Sequence, residues 1–311
     1  MKARIVAGAA GRPLAAAITT ELGIEPTACV VERFPDGEVR PTVACVSGGD
    51  VYVVQPTGPP AGSHVVELLL ILDACRRAGA DRITAVVPYF GYARQDRRSR
   101  GGQAVGARVV ANAIASTKVD RLVVVDPHTP ALEAMCAMPV EMLTAVPILA
   151  HALRASIPSD AIVVAPDLGA VKLAEHYASQ LGTRVVVVRK TRETGTRVRA
   201  EEVVGNIRGR PAVIVDDMIS TGGTIEAAVR TLLEHGAAPD MVVAATHGLL
   251  VRPATDRLDA LPIRRILVTD TIDQREKKPP SVDVHSIAPM LADAIGRLHR
   301  GQALDELLIR T

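Results

Sequence analysis

Two adjacent carboxylates, followed at once by threonines and glycines, form the densest chemical constellation in this sequence: Val213-Ile214-Val215-Asp216-Asp217-Met218-Ile219-Ser220-Thr221-Gly222-Gly223-Thr224. The apolar residues before them read as a buried strand, and the amphipathic run from Ile225 reads as a helix. A Ser/Thr/Gly loop that opens a helix turns backbone N–H groups and hydroxyls toward an anion, phosphate above all, and adds the positive end of the helix. Glycines at 222 and 223 let the backbone approach that anion without a Cβ in the way. Asp216 and Asp217 then lie about one sugar length away, as acceptors for vicinal hydroxyls, at the sheet edge where open α/β folds bind ligands. The plainer alternative is a strand, turn and helix whose Asp, Ser and Thr only satisfy the helix's N-terminal donors.

A second signal is Val87-Pro88-Tyr89-Phe90-Gly91-Tyr92-Ala93-Arg94-Gln95-Asp96-Arg97-Arg98, a strand end with a Pro-aromatic turn. Arg94, Gln95 and the arginines behind them suit several anionic oxygens at once, as a triphosphate offers; the bland counterpart is a solvated basic loop. His128, in Asp126-Pro127-His128-Thr129, stands at another strand end, where a lone His is more often a structural hydrogen bonder than a ligand. Asp167 ends a similar run, Val164-Ala165-Pro166-Asp167-Leu168-Gly169. The segment Val188 to Arg199 leaves a strand and becomes rich in cations, Lys190 and Arg192 among them, which by composition alone would face water. Phe34 reads as a core residue from its type, yet the Pro35-Asp36-Gly37 turn before Glu38 carries it to an exposed tip where a flat ring needs a partner.

The elements that must position these residues alternate. Short runs rich in Val and Ile, such as Asp50 to Gln55, Ile83 to Pro88, Leu122 to Asp126 and Ala161 to Pro166, are separated by segments of helical period. Continuous apolar runs belong to strands covered on both faces, so the class is α/β with mainly parallel sheets flanked by helices. A chain of 311 residues is long for one core. The pattern repeats before and after a Pro-containing, helix-poor stretch near Met138 to Val146, which gives two domains, 1–145 and 146–311. The first 45 residues contain hairpin material around Pro-Asp-Gly. With 48% hydrophobic residues a large core is feasible, and a net charge of +2 indicates no nucleic-acid partner. The N-terminal residues lack a signal-peptide core and the apolar stretch 131–153 is broken by Glu133, Pro139, Glu141 and Pro147, so no membrane partner and a cytoplasmic location are expected. Cys29, Cys45, Cys75 and Cys136 have no metal-site spacing and are expected to be buried thiols.

Taken in order, these motifs cover nearly the whole chain and resemble those of the ribose-phosphate pyrophosphokinases, the phosphoribosyl pyrophosphate synthetases. The Asp216 to Thr224 loop resembles the ribose 5-phosphate loop of that family and of phosphoribosyltransferases alike; the Arg94-Gln95 run looks like the family's nucleotide-binding signature and separates the two. The resemblance implies two similar phosphoribosyltransferase-like domains, the first on the ATP side and the second on the ribose 5-phosphate side, with the last helix able to pack back on the first. It implies transfer of the pyrophosphoryl group of ATP to the 1-hydroxyl of ribose 5-phosphate, with AMP leaving. Ribose 5-phosphate would be held by Asp216, Asp217, Ser220, Thr221, Gly222, Gly223 and Thr224. ATP would meet Arg94 and Gln95, together with Phe34, Asp36 and Glu38 from a hairpin that reaches into a neighbouring subunit's site, which requires a homo-oligomer, dimer or hexamer. Mg2+ would sit with His128 and Asp167. Lys190 and Arg192 match the spacing of a Lys and an Arg on a mobile loop that closes over the transferred phosphates.

The sequence also departs from the family. Ser220 stands where many members carry a third Asp, and Asp-Pro-His-Thr stands in place of the usual Asp-Leu-His-Ala. Arg97 to Ala107 replaces the usual Ser-Arg-Ala-Pro-Ile-Ser pattern. Cys45 and Ser47 occupy the positions of a Ser and an Arg that bind an allosteric phosphate in regulated members, so activation by phosphate and control by ADP are expected to be weak or absent. Two rivals remain on these residues: a non-catalytic partner subunit that kept the fold, and a type I phosphoribosyltransferase using the same Asp216 to Thr224 loop.

Overall fold

The structure, a computed structural model, describes residues 2–191, 200–274 and 281–309. It divides into two compact units, Met1–Thr144 with Thr271–Asp273 and Ser286–Arg310, and Ala145–Asp270 with Gln274–His285.

The first unit contains β1 (Lys2–Ala7), α1 (Arg12–Leu22), β2 (Cys29–Arg33), β3 (Val39–Val43), β4 (Gly49–Val54), α2 (Ala61–Arg77), β5 (Arg82–Val87), α3 (Gly106–Ser116), β6 (Arg121–Val125), α4 (Leu132–Met135) and β7 (Val140–Leu143). Five strands form a parallel sheet in the order β1-β4-β5-β6-β7. Every residue of β4 is buried, as its unbroken apolar run requires. The helical spacing of Val65, Leu68, Ile71, Leu72 and Cys75 gives α2 one apolar stripe, and that stripe enters the core. The β2–β3 pair is the antiparallel hairpin foreseen around Pro-Asp-Gly.

The second unit contains α5 (Val146–Arg154), β8 (Ile162–Ala165), α6 (Val171–Leu181), β9 (Val185–Thr191), β10 (Ala200–Val204), β11 (Ala212–Ile219), α7 (Gly223–Glu234), β12 (Met241–Gly248), α8 (Ala254–Asp259), β13 (Ile263–Thr269) and β14 (Val282–His285). Its sheet runs β10-β9-β8-β11-β12-β13-β14, and the β9–β10 pair is antiparallel while the others are parallel. The two units share one plan. A first strand is followed by a hairpin, and four further strands then extend the sheet from the other side of that first strand. In the second unit the hairpin joins the sheet edge; in the first it stands as a two-stranded sheet of its own. This is the α/β architecture of two similar domains read from the sequence.

The final helix, α9 (Ala288–His299), belongs to the first unit and packs on α1. A buried carboxylate ties it down. Asp50, fully enclosed at the start of β4, accepts from the Tyr52 hydroxyl (2.9 Å), from Arg82 Nε (2.8 Å) and Nη2, and pairs with His299 Nδ1 (2.7 Å). Arg82 also donates to the Leu298 carbonyl (3.3 Å). Burial pushes the Asp50 carboxyl up, but its bonds to Arg82, His299 and Tyr52 outweigh that and hold it below its ordinary value of 3.8. The folded state therefore favours the ionised form, and the stabilisation is complete above that ordinary value and lost as pH falls through the depressed one. Asp50→Ala is expected to cost about 3 kcal/mol by leaving buried partners unpaired. A shallower acid limb of unfolding, followed by circular dichroism, checks the pH sign; an unchanged acid limb would show that this carboxylate is not the coupled group.

The cysteines correct one expectation. Cys75 is buried, Cys29 and Cys136 are partly buried, and Cys45 is exposed, because it lies on the β3–β4 connection whose inward residue is Val46. Burial raises the Cys75 thiol to about 12, with Cys29 adding to the shift, and raises Cys136 to about 11. Among the described residues no helix is long and apolar enough to cross a membrane.

Candidate active site

The second unit's sheet reverses direction between β8 and β11. From β8 the chain moves outward to β9 and β10, and from β11 it moves the other way to β12, β13 and β14. The carboxyl ends flanking such a switch point leave a crevice where open α/β sheets bind ligands. The sequence puts its acids there. Asp167 follows β8, and Asp216 and Asp217 lie in the last half of β11, which runs on to Ile219 rather than stopping at the second acid.

Asp167 caps the short 3-10 turn Leu168–Ala170, its Oδ1 accepting from Gly169 N (2.8 Å) and Ala170 N (3.1 Å). Asp216 Oδ1 accepts from the Asp217 N–H (2.9 Å). Burial first, then the neighbouring Asp217 and Asp167 charges, push the Asp216 carboxyl well above its usual range. Three carboxylates thus share one electrostatic site. Their donor set is all oxygen, the set that hard divalent cations such as Mg2+ prefer. Among the described residues, however, no group of three His, Cys, Asp or Glu side chains forms a ready metal cage.

The loop Ser220 to Thr224 closes over the N-terminus of α7. Gly222 is the N-cap residue, in the left-handed region at φ +76°, and being glycine it brings no side chain of its own to the helix start. A helix start of this kind turns its first backbone N–H groups and the positive end of its dipole toward the loop, which suits an anion. The glycine has a second reason that the sequence did not disclose. A Cβ at Gly222 would sit 3.3 Å from Leu258 of α8, so the small residue also lets α8 pack beneath the loop. From α8, Arg257 Nη1 donates to the Thr221 carbonyl (2.8 Å) while its Nε pairs with Glu226 (2.8 Å). Arg257 was not legible in the sequence, where it is one arginine among many on a six-residue helix.

In the first unit the candidate residues gather at the ends of β5 and β6. Arg94 and Gln95 are exposed on the connection after β5; Gln95 N–H donates to the Tyr92 carbonyl (2.9 Å), and the Gln95 carbonyl accepts from Ala107 N–H (3.2 Å) in the first turn of α3. Tyr92 holds a left-handed φ of 67°, a conformation that costs a non-glycine residue energy. His128 is exposed on the neighbouring connection after β6. The two connections touch, since the Thr129 hydroxyl and Arg97 both bond to Asp96, Arg97 being the larger cause of that carboxyl's depressed pKa.

Thr57, absent from the sequence-level candidates, suspends this connection. It is fully buried beyond β4; its hydroxyl donates to the Tyr89 carbonyl (3.0 Å) and accepts from Gly91 N–H (2.7 Å). A Cβ at Gly91 would lie 2.4 Å from the Thr57 carbonyl oxygen, so only glycine allows the approach. Thr57→Val strands the Gly91 N–H without a partner and is expected to cost about 1–3 kcal/mol, read as a lower denaturation midpoint, with Thr57→Ser restoring most of it. Equal midpoints for Thr57→Val and wild type would remove Thr57 from this role.

At the hairpin tip, Phe34 N–H donates to the Glu38 carbonyl (2.9 Å), and Asp36 Oδ1 accepts from Glu38 N–H (3.0 Å). Phe34 is partly buried rather than free, because the Arg40 guanidinium stands 5.1 Å from its ring centroid. Asp36 and Glu38 are exposed, as are Cys45 and Ser47. Lys190 lies at the end of β9, in register with Glu201 of β10; Arg192 lies outside the described residues.

Residues 3–117 match the model of the N-terminal domain of ribose phosphate pyrophosphokinase, and residues 193–309 match the phosphoribosyl synthetase-associated domain. The chain is 40% identical over 309 residues to a ribose-phosphate pyrophosphokinase of Rhodopirellula baltica, covering 98% of each chain. It is 38% identical over 306 residues to that of Aquifex aeolicus, again covering 98% of each. The chain belongs to the ribose-phosphate pyrophosphokinase family. A crystal structure of phosphoribosylpyrophosphate synthetase from Mycobacterium smegmatis superposes with a TM-score of 0.90 at 36% identity, covering 97% of this chain and all of the other. Membership of that family thus extends over both units, including the first, where the Arg94 connection lies.

Proposed function

We propose that this chain is a ribose-phosphate diphosphokinase working in the cytoplasm: it transfers the pyrophosphoryl group of ATP to ribose 5-phosphate, forming phosphoribosyl pyrophosphate and AMP. The observation that carries the reading is the near full-length likeness to the Mycobacterium smegmatis synthetase, together with the glycine-started α7 that follows Asp216 and Asp217 in the chain.

In this reading the 5-phosphate sits on the Ser220 to Thr224 loop, where the helix dipole and backbone donors favour its charge. Asp216 and Asp217 accept from the ribose hydroxyls and orient the sugar. The 1-hydroxyl oxygen attacks the β-phosphorus and gives up its proton to solvent, the bond from that phosphorus to the α,β-bridging oxygen breaks, and AMP departs. Catalysis of such a step is mainly positioning and charge stabilisation. Arg94 and Gln95 hold phosphate oxygens of ATP; Phe34, Asp36 and Glu38 meet the base in a neighbouring subunit's site, within a dimer or hexamer. Lys190 and Arg192 neutralise charge on the pyrophosphoryl group. Mg2+ would be held by His128 and Asp167, with water and phosphate oxygens completing its shell, and when bound would supply positive charge to the phosphate oxygens.

The test is incubation of purified protein with ATP, magnesium and ribose 5-phosphate, with and without inorganic phosphate, following AMP by chromatography. Ribose-dependent AMP establishes the activity, and its absence in both conditions favours the non-catalytic partner or the transferase. With Cys45 and Ser47 in place of an anion-binding pair, the rate is expected to change less than about twofold on adding phosphate. A steep activation curve would restore the regulatory site.

A further inference from the structure

We infer that Arg257 is a positioning residue of the Ser220 to Thr224 loop that sets the affinity for the 5-phosphate; the inference rests on the proposed function. Two contacts converge on this guanidinium. Its Nη1 bonds to the Thr221 carbonyl (2.8 Å), fixing the peptide that precedes the Gly222-Gly223 turn, and it lies close enough that a Cβ at Gly223 would meet Nη1 at 3.3 Å. Its Nε binds Glu226 Oε2 (2.8 Å), while Arg230 binds the other oxygen, Oε1 (2.6 Å).

Glu226 occupies the first turn of α7. A bare carboxylate there stabilises an empty helix but repels a phosphate arriving at the same end, because both are anions within one turn of the dipole. Arg257 answers this difficulty together with Arg230, since the two offset that charge from its two oxygens. Arg257 alone also holds the Thr221 carbonyl turned toward itself, which leaves the N–H side of the loop for the ligand. The arginine is partly buried, with 31% of its side chain exposed, so its fork is preorganised.

Arg257→Met is expected to raise the KM for ribose 5-phosphate by about tenfold or more, leave the KM for ATP within about twofold, and change kcat little. Arg257→Lys should recover part of the loss, since an ammonium reaches one partner and not both. Adding Glu226→Gln to Arg257→Met separates the two contributions: partial recovery assigns the recovered part to charge cancellation, and no recovery assigns the effect to the Thr221 bond. Thermal melting of each variant accompanies the kinetics. Equal KM values for ribose 5-phosphate in folded Arg257→Met and wild type would overturn the inference, as would a matching rise in both KM values. Failure of the proposed function shows differently, as wild-type protein that releases no ribose-dependent AMP.

Discussion

Lys190→Ala is expected to lower the turnover number by on the order of 10²-fold or more, with only a modest rise in either KM. Strand β9 carries Lys190 to its carboxyl end, and β9 pairs with β8, after which Asp167 lies. This is the edge of the sheet where ligands of open α/β folds collect. During pyrophosphoryl transfer, negative charge shifts toward the leaving oxygen and spreads over the oxygens in flight. An ammonium placed against those oxygens binds more strongly as that charge develops, and only such differential binding raises kcat. Steady-state kinetics of the variant, with circular dichroism to confirm folding, measure the split. A large rise in KM at constant kcat would make Lys190 a ground-state binder, and an unchanged turnover would remove it from the site.

Asp216→Asn is expected to act in opposite directions on stability and activity. The wild-type carboxyl is pushed up by burial and by Asp217 and Asp167, so the folded state binds its proton more tightly than the unfolded chain does. The sign follows from linkage: its contribution is fully favourable below the ordinary carboxylate value and is lost as pH rises through the elevated one. At neutral pH, where the unfolded chain's carboxyl is ionised, enclosing this group therefore costs stability, and the neutral amide removes that cost. A rise in Tm of about 2–4 °C is expected in the absence of ligands, equivalent to roughly 1 kcal/mol. In the proposed reaction Asp216 accepts from a ribose hydroxyl, so the same substitution should lower kcat/KM by on the order of 10². Calorimetry at neutral pH and at about pH 4 tests the linkage, since the gain should shrink in acid. A variant that keeps full activity would detach Asp216 from the substrate.

Both expectations concern residues found by reading the sequence, and they show which kind of information residue order carries. The carboxylate pair, the Thr-Gly-Gly-Thr run and the Arg94-Gln95 run are contiguous, and a contiguous motif between a strand and a helix has its local geometry set by neighbours in the chain. The strands were legible for a related reason: runs such as Val51 to Val54 are apolar without alternation, and only a strand covered on both faces uses such a run. The mostly parallel order followed, as did the division into two similar halves.

The remaining features depend on residues far apart in sequence. Thr57 and Gly91 meet through a buried hydroxyl across 34 positions, and Arg257 reaches Thr221 across 36. Neither has a local signature, because a threonine beyond a strand and an arginine on a short helix are ordinary in type. The thiol of Cys45 is exposed although its residue type favours burial, since the β3–β4 connection turns Val46 inward instead. Residue order assigns Gly222 to the close approach of a ligand, and the fold adds that it makes room for Leu258. Chemistry that lies in one stretch of chain is readable from residue order, because adjacent bonds position it. Support that arrives from another element is decided by tertiary packing, because only the closed core brings those side chains within hydrogen-bonding distance.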